Sequence, residues 1–105
     1  MQNDYFELKG QDHRIEWNWN SISNFIEDTD LELADIDKIV QKKPRVITKF
    51  FHVAFVEGGR LDGIPFPFTP EELGGMLEVN DVTELLKIYF AQIAAKQSQG
   101  KAKKK

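Results

Sequence analysis

The sequence predicts an α+β protein, with an N-terminal β-hairpin followed by four or five helices in a single compact domain. Three observations carry this. Apolar and polar residues alternate up to Trp19, and from Asn20 the apolar residues recur at helical spacing. Pro44 and Pro70 stand where helices can begin, since the missing N–H costs nothing there. The chain has 105 residues, 41% hydrophobic with eight Phe and two Trp, enough for one core and too few for two.

The hairpin comes first. Phe6 and Leu8 alternate with Tyr5 and Glu7, and Lys9-Gly10-Gln11-Asp12 supplies turn residues. From His13 to Trp19 the alternation resumes, with Ile15, Trp17 and Trp19 on one face. Two strands alone are marginal in water, so this face must pack on helices. Asn20 can cap a short helix carrying Ile22, Phe25 and Ile26, and a second short helix carries Leu33, Ile36, Ile39 and Val40. Pro44 opens the main helix, striped by Val46, Ile47, Phe50, Phe51 and Ala54, with Gly58-Gly59 expected to stop it. Leu61–Phe68 holds Gly63, Pro65 and Pro67 and reads as an apolar loop. Thr69, Pro70 and Glu72 form a complete capping box for a helix burying Leu73, Met76 and Leu77. Asp81 with Glu84 repeats that logic for a last helix bearing Val82, Leu85, Leu86, Tyr89, Phe90 and Ile93.

The formal charge of −3 is an average over two unlike regions. Residues 1–95 carry nine basic and seventeen acidic side chains, net −8, whereas residues 96–105 carry +5. The folded domain is expected over 1–95, with 96–105 a disordered basic tail. No apolar run approaches the roughly 20 residues that span a bilayer. The start of the chain lacks the basic and apolar pattern of a signal peptide, and there is no Cys. An intracellular protein without membrane contact fits these features.

Catalytic chemistry has few candidates. His52 lies inside an apolar run and reads as a half-buried histidine bonded to a neighbour; His13 begins a strand beside a turn and reads as solvated. The sequence has no His-Glu-x-x-His, Gly-rich phosphate loop or Gly-x-Ser-x-Gly. Asp28, Asp30 and Glu32 match the first positions of a calcium loop, but Leu33 replaces its turn glycine and Ile39 its closing Glu. Asp28 and Asp30 read instead as residues between two helices that favour the second one's N-terminus. The expectation is therefore no catalytic residue, no cofactor and no metal. The lysines of the tail suggest a small nucleic-acid-associated regulator as the alternative function, opposed by the acidity of the body. A hydrolase built on a carboxylate pair has no positive support. Protein contact remains, with Trp17, Trp19, Ile64, Phe66 and Phe68 as candidate partner-binding residues. The same side chains can equally complete the core, and both readings stand at this point.

The order of the pieces resembles the tail assembly chaperones of long-tailed bacteriophages and prophages. The matching elements are Phe6-Glu7-Leu8-Lys9-Gly10, then Ile15-Glu16-Trp17-Asn18-Trp19-Asn20-Ser21-Ile22 running from strand into helix. They continue through the acidic stretch, the apolar helix 44–57, Pro67-Phe68-Thr69-Pro70-Glu71-Glu72-Leu73-Gly74 and the final apolar helix. Family members commonly carry an acidic residue near the position of Ile26, which this chain lacks. The resemblance, over residues 5–95, implies a non-enzymatic assembly factor in the cytoplasm of a bacterial host. It implies binding to the helical tape measure protein, contact with the tail tube protein, and self-association. Such families often make a longer frameshifted product, with which Lys103-Lys104-Lys105 is compatible.

Overall fold

The computed structural model describes residues 4–104, with side chains described as far as Lys96. It is an antiparallel hairpin followed by five helices. Strands β1 (Tyr5–Leu8) and β2 (Gln11–Arg14) pair with Tyr5 opposite Arg14 and Leu8 opposite Gln11. The turn is Lys9-Gly10 alone, with φ of 51° and 80°. Two positive φ values in a two-residue loop match the right-handed twist of the strands. Phe6 faces His13 across the ladder, so His13 belongs to the inward face together with Leu8.

The second strand is shorter than the alternation suggests. After Arg14 the chain stays extended but has no strand partner; the Ile15 amide donates to the Asp4 carbonyl and the Glu16 amide to the Ala54 carbonyl, 3.0 Å away. Ile15 and Trp17 still point inward and are fully buried. Trp19 does not continue that face. It opens helix α1 (Trp19–Thr29), capped by Asn18, whose Oδ1 accepts from the Ser21 amide while Ser21 Oγ accepts from the Asn18 amide. Asn20, expected as the cap, instead donates its side-chain amide to Glu57.

A 3₁₀ helix (Leu33–Gln41) follows, its first turn closed by Asp35, which accepts from the Glu32 amide at 2.9 Å. Asp28 lies inside α1 and Asp30 ends it at φ 59°, so Asp35 takes the N-terminal role expected of them. Helix α2 (Pro44–Asp62) runs past Gly58-Gly59. It stops at Gly63, φ 75°, where the Ile64 amide reaches back to the Gly59 carbonyl and the Gly63 amide to that of Arg60. That is a Schellman closure, which a left-handed glycine permits without strain. Gly58 and Gly59 serve a different purpose. A Cβ on Gly58 would stand 2.1 Å from the Arg14 carbonyl oxygen, and one on Gly59 2.4 Å from that of Ile64. The helix thus lies directly on the main chain leaving β2 and on the loop that follows α2.

Helix α3 (Pro70–Met76) has the expected capping box, with Thr69 Oγ1 accepting from the Glu72 amide and Glu72 accepting from that of Thr69. Helix α4 (Val79–Lys104) begins one turn earlier than the Asp81 cap implies. Asp81 is its third residue and accepts from the Glu78 amide. The helix takes in 96–104, where the sequence predicts a disordered tail; Ala, Gln and Lys are good helix formers there. The basic side chains beyond Lys96 lie outside the described residues.

The core sits between α1, α2 and α4. Phe50 is its centre, 5.4 Å from the Trp17 ring, 5.1 Å from Phe25 and 4.9 Å from Tyr89. The unpaired extended stretch is held by Gln92 of α4. Its Oε1 accepts from the Trp17 amide at 3.0 Å and its Nε2 donates to the Ile15 carbonyl at 2.9 Å. One side-chain amide therefore supplies the donor and acceptor that a third strand would have supplied.

Candidate functional site

The five sequence-predicted contact residues fall into three different environments. Trp17 is a core residue: it is buried, and its indole Nε1 donates to the Phe50 carbonyl at 3.2 Å. It is unavailable to a partner in the folded chain. Phe66 and Phe68 are half-buried beneath the loop between α2 and α3. Phe66 stacks on Phe55 at 4.8 Å, and Phe68 meets the edge of Phe66 at 5.4 Å. Only Trp19 and Ile64 stand out, 68% and 61% exposed. Phe90, expected in the α4 stripe, is also exposed. Leu85, Tyr89 and Gln92 define the buried line of α4, and Phe90 lies one position off it.

The two histidines fasten the loop. His52 Nε2 donates to the Phe68 carbonyl at 2.7 Å, the half-buried, bonded role expected of it. His13 is not solvated. It lies edge-on to Phe55, Phe66 and Phe68, and burial lowers its pKa from the usual histidine value. A cavity of about 30 Å³ beside these rings has room for a single water and no ligand.

The most deeply buried carboxylate is Glu57. Arg60 donates to it through Nε and Nη2 at 2.9 and 2.7 Å, and Asn18 Nδ2 adds a third bond of 2.7 Å. The Arg60 bonds hold its pKa down at about 2, against 4.5 for a free Glu. Asn18 and Asn20 tie the start of α1 to this carboxylate of α2, while Arg60 clamps it from one turn along α2 itself, so every bond it makes is structural. The sign follows from the lowered value: its stabilisation is complete above about pH 4.5 and disappears as pH falls towards 2. Glu57→Gln is expected to lower stability by roughly 2 kcal/mol at neutral pH, Arg60 being exposed enough for solvent to screen part of the pair. Urea midpoints near neutrality and again near pH 3 check this, because the gap between variant and parent should narrow in acid.

No group of three or more His, Cys, Asp or Glu side chains converges on a metal-sized site among the described residues. None of the described helices is long and apolar enough to cross a membrane. A groove of about 750 Å³ lies between the start of α2 and α3, lined by Pro44, Arg45, Thr48, Lys49, Pro70, Glu71, Gly74 and Gly75. None of the five predicted contact residues lines it. No protein-family model matches the chain, and no curated protein or solved structure matches it either.

The two walls of the groove each leave a local signal in the sequence. Lys43, Arg45 and Lys49 crowd the start of α2, and Gly74-Gly75 follows a perfectly capped helix start. Each signal is local, but the pairing of the two segments across a groove is not.

Proposed function

We propose that this protein is a non-enzymatic assembly chaperone of the long-tailed phage type, whose client is the tape measure protein. The observation that carries the reading is the placement of Trp19 and Ile64. Both are large apolar residues left outside a complete core, on a body of net −8 over residues 1–95. Exposed aromatic and aliphatic side chains on a charged surface suit a client presenting apolar helix stripes, and the charge keeps the coated client in solution. The family resemblance of residues 5–95 supplies the identity of that client. The same two residues would serve contact with the tail tube protein and self-association along one filament, where weak copies gain by avidity.

The test is co-purification with a co-expressed phage tape measure protein. Trp19→Ser combined with Ile64→Ser is expected to abolish capture while shifting stability by no more than about 0.5 kcal/mol, as exposed substitutions usually do. Undiminished capture would remove this surface from the reading, and no capture by the parent would remove the chaperone reading itself. Neutralising Lys101, Lys103, Lys104 and Lys105 to Gln separates this from the nucleic-acid alternative: a chaperone retains its client, whereas a nucleic-acid binder loses affinity and salt dependence.

A further inference from the structure

We infer that the groove between α2 and α3 is a docking site for an acidic peptide segment of a partner protein, held by Arg45 and Lys49. Charge complementarity is the first support. Among the described residues, Arg14, Lys42, Arg60, Lys87 and Lys96 are engaged in ion pairs; of the five cations in none, Lys9 and Lys38 stand apart and Lys43, Arg45 and Lys49 lie within seven positions at the start of α2. Three unpaired cations thus gather at one edge of a strongly acidic body. Lys43 and Arg45 also occupy the unfavourable end of α2, whose first turn contains no acidic residue, and Lys49 follows one turn on. A cation at a helix N-terminus opposes the macrodipole, so nothing internal to the fold rewards this arrangement. Carboxylates of a partner would satisfy the cations and the helix end together.

The shape of the groove adds to this. Its volume of about 750 Å³ suits several side chains of a peptide. Its α3 wall is bare, because Gly74 and Gly75 lie there without an internal reason. A Cβ on Gly75 would meet nothing within 4 Å, and one on Gly74 only the Thr48 methyl at 3.7 Å, an ordinary contact. Gly58 and Gly59 differ, since the chain's own backbone excludes a side chain there. Two helical glycines cost about 1 kcal/mol each relative to Ala, and here they leave a surface that a partner's main chain can approach closely. Glu71, the one acidic residue lining the groove, stands on the α3 side and directs the partner's carboxylates toward α2.

This inference uses neither Trp19 nor Ile64, so it stands apart from the chaperone reading. The test uses the full chain and a short fluorescein-labelled peptide of alternating Glu and Ala, with alternating Gln and Ala as control, followed by fluorescence anisotropy. The parent should bind the acidic peptide alone, less tightly as salt rises. Arg45→Glu with Lys49→Glu should weaken binding at least about tenfold. Gly75→Leu keeps every charge, fills the groove and suits a helix, and should weaken binding by a similar factor. Full binding by Gly75→Leu would overturn the proposal, because the attraction would then be diffuse. So would a silent charge reversal, an equal response to the Gln peptide, or absence of binding to the parent. Should the charge reversal lower the melting temperature, Arg45→Gln with Lys49→Gln replaces it under the same criterion. Tighter binding of single-stranded DNA than of the peptide, lost in the same variants, would also overturn the assignment.

Discussion

Gly58→Ala is expected to abolish stable folding, or to cost at least about 3 kcal/mol, although alanine is the better helix former. Helix propensity alone predicts the opposite sign, a gain of about 1 kcal/mol. The steric term decides the outcome. The new methyl would stand 2.1 Å from the Arg14 oxygen and 2.4 Å from its carbonyl carbon. Neither atom can retreat easily. Arg14 is paired with Tyr5 across the hairpin, and its neighbours Ile15 and Glu16 donate their amides to Asp4 and Ala54. Relief would require α2 to lift off the chain leaving β2, breaking the Glu16–Ala54 bond and opening the core around Phe55. Urea unfolding followed by far-ultraviolet circular dichroism checks this. Gly75→Ala is the internal standard: nothing lies near its Cβ, so it should gain up to about 1 kcal/mol. A Gly58→Ala protein as stable as its parent would show that α2 and β2 do not meet as described.

Trp17→Ala is expected to cost about 3–5 kcal/mol, the range for removing a buried large aromatic side chain. Its ring meets Phe50, Phe51 and Tyr89, and its N–H satisfies the Phe50 carbonyl. Truncation therefore opens a cavity and leaves a buried acceptor without its indole donor. Trp19→Ala, two residues on, should fall within about 0.5 kcal/mol of the parent. Fluorescence reads both residues at once. Trp19→Ala should leave a single blue-shifted emission resistant to acrylamide, whereas the parent also shows an accessible, quenchable component. An equal loss of stability in both variants would overturn the division of roles.

These two tryptophans show how far the sequence was legible. Their shared parity suggests one strand face, and for Ile15 and Trp17 that parity is right because the chain remains extended. It fails at Trp19 because Asn18 and Ser21 cap each other, turning the chain into a helix before the alternation can count again. The capping pattern was in the sequence, with Ser at the position more often held by Glu or Gln. The capping box of Thr69, Pro70 and Glu72 is legible because every bond involved lies within four residues. The sequence reading of Gly58-Gly59 as a helix stop fails for the complementary reason. A glycine pair signals either a helix stop or a close approach, and only the position of Arg14 and Ile64 distinguishes them. His13 shares its parity with Ile15 and Trp17, so its inward direction was legible and its aromatic surroundings were not. Of the five candidate contact residues, Trp19 and Ile64 are the exposed ones; the cationic groove needs the juxtaposition of α2 and α3 to be seen.

The amide clamp of Gln92 has a consequence for the order in which the molecule can assemble. Its partners, at Asp4, Ile15 and Trp17, lie between 75 and 88 positions away along the chain. The turn of the hairpin can form locally, but the stretch after β2 acquires its final partners only when the last helix arrives. Contacts of such separation slow folding and join the chain ends in one cooperative unit. In hydrogen exchange, the Trp17 amide proton thus reports from the first quarter of the chain whether α4 is seated.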